Sequence, residues 1–376
     1  VDVIALRQDT SPRTLRIRGV DVYKIQRRRI NERKKLDYLL RLLSFLIRSG
    51  WHLGVRHLMR RYDLVHVHSI PDFEVFAALV PKLCGAAVVL DIHDIVPELY
   101  VGKFGAGTDS ALFRALVLVE RLSAMFADHV IIANDIWYER MTGRSVSAHK
   151  CSVVMNYPDP SLFYRRDTHA HPGKFVLLYP GTLSRHQGLD TAIRAVALLR
   201  GYIAGLELHI YGSGTDEAYF KEKVKQWGVE DRVLFKGLVS IERVADVMAE
   251  ADVGVEPKGC ATFGDEAFST KILEFMMVGR PVVASNTTVH RRYLGDDVVK
   301  FFPAGDYEAL ANAIEELHRA PHLRERYVER GLVFMNSNHW GVKKRVYLNL
   351  VDSLTGAAPR HEMARSVDAL ERKVGV

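Results

Sequence analysis

The chain has 376 residues, of which 48% are hydrophobic and 26% are charged, a composition ordinary for a folded globular protein with room for two domains. No apolar run reaches the roughly 18 residues that a membrane-spanning helix needs. The three cysteines, Cys84, Cys151 and Cys260, are scattered without a Cys-x-x-Cys pair, which argues for a reducing compartment and against a zinc or redox site.

The net charge of +7 is distributed unevenly. Segment 13–61 contains 15 lysines and arginines against three acids, whereas the rest of the chain has more acids than bases. Leu39, Leu43 and Leu46 recur there at helical spacing, which core packing explains at least as well as membrane insertion does. We expect an anionic membrane surface as the partner of this basic segment, with a solvated helix face as the alternative. No nucleic-acid partner is expected, because no interleaved aromatics or known motif accompany the charge.

In the first half of the chain, apolar strand-like runs alternate with amphipathic helical segments, a pattern typical of parallel α/β sheets. The opening Val-Asp-Val-Ile-Ala-Leu already reads as a strand with no helix before it. We therefore expect the first strand and helix of the N-terminal domain to be missing from this sequence. Strands are predicted at 1–6, 20–25, 64–67, 87–91, 129–133 and 151–155, with helices near 30–60, 72–83, 110–127 and 135–143.

A polar segment at 165–173 is interpreted as a linker, after which the alternation restarts. Strands are predicted at 175–179, 207–211, 233–236, 253–257, 282–284 and 298–302. The sequence thus predicts two doubly wound, Rossmann-like α/β domains with a ligand in the cleft between them. Their predicted bounds are 1–165, rejoined by a C-terminal helix at 340–355, and 170–335, with 356–376 as a tail.

Two glutamates, Glu266 and Glu274, lie around a predicted helix start that Ser269 or Thr270 can cap. Backbone N–H groups at the cap would face a phosphate, and Lys271 adds a positive charge in the first turn. The two carboxylates could accept hydrogen bonds from sugar hydroxyls on either side. This segment therefore indicates a site for a nucleotide sugar.

Gly181 follows the strand predicted at 175–179, in the loop Pro180-Gly-Thr-Leu-Ser-Arg-His-Gln-Gly188. A residue without a Cβ lets the backbone approach a phosphate closely. An ordinary turn between strand and helix is the alternative, and the glutamate segment downstream favours a diphosphate contact. The later Gly212-Ser-Gly214 is a weak fingerprint, and turn chemistry explains it better.

His93 and Asp94 follow the strand that ends at Asp91. The predicted fold would place His93 at the cleft from the other domain, where an imidazole could hydrogen-bond a sugar hydroxyl or a phosphate oxygen. A structural histidine and acids that only cap a turn are the alternatives. Asp-x-His-Asp could also suggest a metal, but no third and fourth ligands occur at recognisable spacing, so no metal is assigned.

In combination, several of these motifs resemble the retaining GT-B glycosyltransferases of family 4 that build bacterial surface polysaccharides. The motifs are Glu266-x7-Glu274 with the surrounding segment 269–283, Tyr-Pro-Gly-Thr-Leu183, Lys236-Gly-Leu238, Asp91-Ile-His-Asp94 and the segment 153–159 at the domain junction. The resemblance covers the whole chain.

The resemblance implies a GT-B fold, in which two Rossmann-like domains face a central cleft. The implied reaction moves a hexose, with retention, from a UDP- or GDP-sugar to a hydroxyl of a lipid-linked or oligosaccharide acceptor, without a cofactor or a bound metal. With the basic segment, it leads us to expect a cytoplasmic enzyme, peripheral on the inner face of the plasma membrane.

The same resemblance implies roles for individual residues. Glu266 would touch the donor hexose beside the reacting carbon, His93 would support that sugar, and Glu274 would bind the ribose hydroxyls. Backbone N–H groups of 268–270 would meet the sugar and diphosphate, and the turn at 237–238 would border the base. The expected catalytic residues are therefore His93 and Glu266, and the expected substrate-binding residues are Gly181, Thr182, Arg185, Gln187, Gly237, Leu238, Phe268, Ser269, Thr270, Lys271 and Glu274.

The chain departs from the family pattern at the diphosphate. Many members place an Arg and a Lys in the loop after the first strand of the second domain, where this chain has Thr182 and Gln187. Lys271 and Arg185 are the candidates to replace that charge. The departure leaves an alternative open, a catalytically degenerate subunit that binds a nucleotide sugar or a partner. A nucleotide-sugar epimerase or a phosphorylase fits the glutamate segment less well.

Overall fold

A computed structural model describes residues 1–7, 11–28, 35–104, 107–166, 171–259 and 262–356. Part of the basic segment (29–34), part of the predicted linker (167–170), Cys260 and the predicted tail from 357 onward lie outside the described residues. Within the described ranges, no helix has both the length and the apolar character required to cross a membrane.

The described N-terminal half contains two sheets. In the first, β1 (Asp2–Arg7) pairs in parallel with β3 (Val20–Arg27), and β2 (Thr14–Ile17) forms an antiparallel hairpin with β3. Each strand predicted for this region is present, whereas β2 was not predicted. Its sequence Thr-Leu-Arg-Ile alternates polar and apolar residues, but four mostly exposed residues are the shortest run from which a strand is recognised.

The second sheet is parallel and has the order β4-β5-β6-β7. Its strands are β4 (Leu64–His68), β5 (Ala87–Ile92), β6 (His129–Ile132) and β7 (Cys151–Val153). The α-helices of this half are α1 (Lys35–Met59), α2 (Leu79–Leu83), α3 (Val96–Phe104), α4 (Ala111–Phe126) and α5 (Asp135–Arg144). Strands β5 and β6 are the central strands of the sheet, and most of their residues are buried.

The C-terminal half is built on one parallel sheet with the order β10-β9-β8-β11-β12-β13. Its strands are β8 (Phe175–Pro180), β9 (Leu206–Tyr211), β10 (Val233–Gly237), β11 (Val253–Glu256), β12 (Val282–Ser285) and β13 (Lys300–Phe302). This is the doubly wound order, and it reverses direction between β8 and β11. A crevice opens outside the carboxyl ends of the two strands at such a reversal, and ligands of this fold bind there.

Helices cover both faces of this sheet, so its central strands read as continuous apolar runs. They are α6 (Leu189–Leu199), α7 (Glu217–Gln226), α8 (Ile241–Ala249), α9 (Thr262–Glu266), α10 (Thr270–Met277), α11 (Thr288–Tyr293), α12 (Tyr307–Arg319) and α13 (Pro321–Met335).

The last described helix, α14 (Trp340–Thr355), lies against the N-terminal half. The Trp340 backbone N–H donates to the carbonyl of Pro158 at 3.0 Å, and the Tyr347 hydroxyl lies 2.8 Å from Nδ1 of His66 on β4. Between the two halves, Ala267 packs into the hydrophobic cluster of the N-terminal half.

Candidate functional site

Three glycine loops lie side by side at the carboxyl edge of the C-terminal sheet. The Gly181 N–H donates to the carbonyl of Tyr211, and the Gly212 N–H donates to the carbonyl of Gly237, each at 2.8 Å. These bonds continue the pairing of β8, β9 and β10 beyond the strands themselves. The loops after these strands therefore form one continuous wall of the crevice.

The Gly212-Ser-Gly214 turn holds this wall together. Gly212 has φ +145°, and a Cβ there would lie 1.9 Å from the carbonyl oxygen of Gly181. At Gly214 a Cβ would lie 2.2 Å from the carbonyl oxygen of Leu183. Both glycines are therefore explained by the close approach of two loops.

The start of α10 faces the loop of Gly181. Ser269 is the N-cap residue, but its buried hydroxyl accepts no hydrogen bond from the helix and has no partner among the described residues. In the same described part of the chain, the backbone N–H groups of Phe268, Ser269 and Thr270 donate no hydrogen bond. Unpaired N–H groups at a helix start attract anions, because the positive end of the helix dipole lies there.

Lys271 brings a cation to this helix start. Its Nζ lies 4.6 Å from the centre of the Tyr179 ring, and a Cβ added at Gly181 would be 3.1 Å from the same nitrogen. Burial raises the pKa of Tyr179 to about 12, so its hydroxyl is neutral at pH 7. The ammonium group of Lys271 and the end of β8 thus share one small space.

Glu256, the last residue of β11, lies under Lys271. Its side chain is 1% exposed, and one of its oxygens lies 2.7 Å from the Lys271 Nζ, in contact but poorly aligned for a hydrogen bond. Burial alone would raise the pKa of Glu256, but the charges of Lys271 and Lys258 outweigh burial and lower it. Burial alone would lower the pKa of Lys271, but the negative charge of Glu256 outweighs burial and raises it.

Lys258 is a second buried cation in the crevice. It is 6% exposed, and its Nζ donates to the carbonyl of Ala267 at 2.6 Å. Burial lowers its pKa to about 8, against the opposing charge of Glu256. Neither Glu256 nor Lys258 was predicted as a site residue, because both lie at the end of the strand predicted at 253–257 and only its apolar residues indicated a role. The signal was a charged pair, Glu-Pro-Lys, at the end of an apolar strand.

Asp94 reaches this cluster from the other half of the molecule. Burial raises its pKa to about 6, and the charge of Lys258 opposes that shift. In return, the negative charge of Asp94 raises the pKa of Lys258. Asp94 and Lys258 therefore lie close enough to interact across the cleft between the halves.

Glu274 lies one turn along α10 from Lys271. Burial raises its pKa to about 7, against the opposing charge of Lys271. The structure thus groups Glu274 with Lys271 and Glu256.

Glu266, expected to contact a donor sugar, is held by an arginine of the N-terminal half. Arg140 on α5 donates two hydrogen bonds to its carboxylate, at 2.6 and 2.5 Å. Asn134 donates from its side chain to the Glu266 carbonyl at 3.0 Å. Arg140 and Asn134 lie 126 and 132 positions from Glu266 in the sequence, so neither partner was predicted.

His93 stands among other histidines at the carboxyl ends of β4 and β5. Its Nε2 lies 2.9 Å from Nδ1 of His68 and 3.5 Å from the nearer oxygen of Asp91. The same Asp91 oxygen lies 3.1 Å from Nε2 of His66. Burial lowers the pKa of His93, and the carboxylate of Asp91 opposes that shift.

The remaining expected residues lie around the crevice with varied contacts. The Thr182 carbonyl accepts a hydrogen bond from the Tyr179 hydroxyl at 3.0 Å. Arg185 lies over the ring of Tyr219, 4.1 Å from its centre, and is 3.6 Å from Asp216.

Three other side chains contact neighbours or solvent. The Gln187 amide is 3.0 Å from the imidazole of His186, and Leu238, after Gly237, is exposed to solvent. The Phe268 ring packs edge-on against His290 and Tyr293. The structure therefore brings Gly181, Lys271 and Glu274 together and engages Arg185 elsewhere.

Two family models match the chain in succession. Residues 1–157 match the glycosyl transferase 4-like domain, and residues 162–333 match the glycosyl transferases group 1. The border between the two matches coincides with the border between the two halves of the fold.

Among curated proteins, the chain is similar to a phosphatidyl-myo-inositol mannosyltransferase of Mycobacterium leprae, 30% identical over 51% of this chain and 50% of that protein. An uncharacterized glycosyltransferase of Methanocaldococcus jannaschii is 28% identical over 76% of this chain and 72% of that protein. A putative colanic acid biosynthesis glycosyltransferase of Salmonella typhimurium is 26% identical over 60% of this chain and 63% of that protein. The chain thus spans between half and three quarters of these relatives.

Solved structures share the fold at low sequence identity. A sucrose-phosphate synthase of Thermosynechococcus elongatus has a TM-score of 0.76 at 19% identity, covering 95% of this chain and 89% of that one. The Anabaena protein HepE in complex with UDP has a TM-score of 0.65 at 18% identity, covering 89% of this chain and 86% of that chain.

Proposed function

Because the chain belongs to the GT4-like glycosyltransferases of the GT-B fold, we propose that it moves a hexose from a nucleotide diphosphate sugar to a hydroxyl of a lipid-linked or oligosaccharide acceptor. Relatives named for mannosyl transfer and for colanic acid biosynthesis support a role in surface glycan synthesis. A neighbour of the same fold in complex with UDP supports a nucleotide donor.

The observation that carries the proposal is the set of cations at the crevice between β8 and β11. Lys271, Lys258 and the N–H groups at the start of α10 surround the point where this fold binds phosphates. In this proposal these cations bind the diphosphate in place of the arginine and lysine that the family resemblance leads us to expect in the preceding loop. The chain's Thr182 and Gln187 are then compatible with activity, since the charge comes from another element.

In this proposal the cationic cluster acts on the leaving group. As the bond between sugar and diphosphate breaks, negative charge grows on the diphosphate oxygens, and preorganised cations stabilise it. The diphosphate oxygen can then take the proton of the acceptor hydroxyl on the same face of the sugar, which gives retention. Glu266, held by Arg140, would face the hexose beside the reacting carbon, and Glu274 would bind the ribose.

Incubation of the full chain with UDP- and GDP-sugars tests the proposal. Release of the nucleotide that depends on a membrane extract or an oligosaccharide acceptor is expected, with retention of configuration in the product. Binding of a donor without release under any condition would instead identify a nucleotide-sugar-binding subunit. Epimerised donor in the absence of acceptor would identify an epimerase.

We further propose that helix α1 places the enzyme on an anionic membrane surface. Large apolar residues recur along one side of α1, and several are well exposed, including Ile47 at 70% and Trp51 at 77%. Leu40, Leu43 and Leu58 continue the same stripe. An exposed apolar stripe beside basic residues is typical of helices that lie in the membrane interface. A lipid-linked acceptor would be presented at that surface.

Vesicle co-sedimentation tests this second proposal. Binding should require anionic lipid and should weaken with added salt, because basic residues contribute part of it. Ile47→Asp should reduce binding strongly, since a charge would enter the apolar interface. Tyr202→Asp, at an exposed position of the other half, is the matched control and should bind like the wild type. Binding insensitive to Ile47→Asp would exclude α1 as the contact.

A further inference from the structure

Strands β4 and β5 bring three polar side chains to the wall of the cleft opposite the lysine cluster. His66 and His68 are two positions apart on β4, so both imidazoles lie on the same face of the strand. In the register of the sheet, His68 pairs with Asp91 of β5. A His-x-His on one strand therefore faces a carboxylate on the next.

The distances between these groups are similar to those between the ligands of a metal ion. The Asp91 carboxylate oxygen lies 3.1 Å from Nε2 of His66 and 3.2 Å from Nδ1 of His68. All three ligand atoms lie within 4.8 Å of one another. Ligands about 2.1 Å from a tetrahedral ion are separated by about 3.4 Å, so an ion could enter with small rotations of the side chains.

The protons of the cluster cannot satisfy all of these contacts at once. Nδ1 of His68 has two close neighbours, the Asp91 oxygen at 3.2 Å and Nε2 of His93 at 2.9 Å. A neutral imidazole nitrogen either donates one proton or offers one lone pair, so it serves one of these neighbours at a time. A cation among the three atoms would accept lone pairs from the imidazoles and the carboxylate together.

A tyrosine of the C-terminal helix orients one member of the set. The Tyr347 hydroxyl lies 2.8 Å from Nδ1 of His66, and the two rings are in contact. Histidines that bind metals commonly hold their second nitrogen in a hydrogen bond of this kind, which fixes the ring and leaves the other nitrogen for the ion. Here the orienting group comes from α14, about 280 residues further along the chain.

We propose that His66, His68 and Asp91 form a binding site for one transition-metal dication of the Zn²⁺ class. Two imidazoles and a carboxylate with an open position are a common ligand set for these ions. The ion lies on the N-terminal wall, beside His93 and apart from the lysines proposed to bind the donor diphosphate. Its effect is structural: through His66 it ties α14 to β4 and β5.

Cobalt binding tests the site directly. The full chain, treated with a chelator and then dialysed, is titrated with Co²⁺ while the visible absorption of the protein-bound ion is followed. One equivalent per chain should bind, Zn²⁺ should displace it, and Zn²⁺ should raise the melting temperature, because an ion that binds only the folded state stabilises it.

Three variants decide between a built site and surface binding. His68→Ala should lower Co²⁺ affinity at least tenfold and remove the rise in melting temperature; its side chain is 62% exposed, so the variant should fold. Tyr347→Phe should weaken Co²⁺ binding about tenfold while keeping the stoichiometry. His149→Ala, at an exposed histidine elsewhere, should bind like the wild type. Absence of protein-bound Co²⁺ absorption, or equal affinity in His68→Ala and the wild type, would overturn the proposal.

Discussion

The ammonium group of Lys271 lies 2.7 Å from the carboxylate of Glu256, and the Glu256 side chain is almost completely buried at the end of β11. The pair joins the start of α10 to the central strand beside the crevice. Lys271 therefore neutralises a buried acid, and in the proposed function it also offers charge to a diphosphate. A single substitution changes both.

Replacing Lys271 by Met should reduce both stability and donor binding. Removal of one partner of a buried pair leaves the other charge uncompensated, at a cost of about 3 to 5 kcal/mol. The double variant Lys271→Met with Glu256→Gln should regain part of the stability, because neither member of this pair is then left charged without the other; Lys258 still loses the charge of Glu256. Donor binding should remain weak in both variants.

Urea denaturation and calorimetric titration with UDP- and GDP-sugars separate the two effects. Lys221→Met is the control, since Lys221 forms an exposed pair with Glu217 on α7 and such pairs contribute about 0 to 1 kcal/mol. Wild-type donor affinity in the refolded double variant would contradict a role of Lys271 at the diphosphate.

Arg140→Ala should lower turnover by releasing Glu266. Two charge-assisted hydrogen bonds hold this carboxylate, and the loss of one such bond typically costs about 1.5 to 3 kcal/mol, equivalent to about 10- to 100-fold in rate if it is felt in the transition state. Steady-state kinetics with the identified donor measure the effect. Arg292→Ala removes another pair between the halves, the exposed one with Glu139, and should change turnover less than twofold. Equal effects of the two variants would argue against a specific role for Arg140.

Gly181→Ala should weaken donor binding. The added Cβ would lie 3.0 Å from the Tyr179 hydroxyl and 3.1 Å from the Lys271 Nζ, inside the space assigned to the diphosphate. A rise of about tenfold in the donor KM, about 1.4 kcal/mol of lost binding, is expected. Gly201→Ala is the matched control, because nothing lies within 4 Å of a Cβ there. If both variants have the same KM, the diphosphate does not approach Gly181.

Donor affinity should pass through a maximum between about pH 7 and pH 8. The pKa of Glu274 is raised to about 7, so this group, which we propose to bind the ribose, becomes a carboxylate only as the pH rises through that value. The pKa of Lys258 is lowered to about 8, so its positive charge is lost as the pH rises further. Lys271 and Glu256 face both groups, and Asp94 also faces Lys258.

Calorimetric titration from pH 5.5 to pH 9 measures this profile. In Glu274→Gln, donor affinity should no longer fall below about pH 7. In Lys258→Met, it should no longer fall above about pH 8. A profile that keeps both sides in both variants would show that other groups control it.

The N-terminal half contains a buried acid whose ionisation should cost stability. Glu74 is buried, and neither carboxylate oxygen has a hydrogen-bond partner among the described residues. Burial raises its pKa from 4.5 to about 7. Because the folded pKa is the higher one, the stability is complete below about pH 4.5 and is lost as the pH rises through about 7, by on the order of 3 kcal/mol.

Glu74→Gln should remove this part of the pH dependence and should be more stable than the wild type at pH 8. Urea denaturation at pH 5 and pH 8 measures it. Asp72, whose pKa burial also raises to about 7, will leave some slope in the variant. Glu325→Gln, at an exposed acid, should leave the slope unchanged. An equal slope in Glu74→Gln would show that Glu74 is not the group that titrates.

The sequence by itself determined the fold class and most of the elements. Buried strands such as β8 and β11 are short apolar runs bounded by polar or glycine residues, and that pattern depends on local burial alone. The segment from Glu266 to Glu274 likewise carries its helix start and its lysine within nine residues. Local patterns of this kind can be recognised in the sequence alone, so they identified the family and predicted the region that we propose as the donor site.

Only the tertiary structure decided how charges pair within the site. Arg140 meets Glu266, Glu256 meets Lys271, and Asp91 meets two histidines of β4, each through contacts between elements distant in sequence or on neighbouring strands. The sequence does not show whether a charged side chain faces water or a buried partner. Burial and distance fix its role, since only a desolvated charge must find its counterion, and both are set when separate elements pack together.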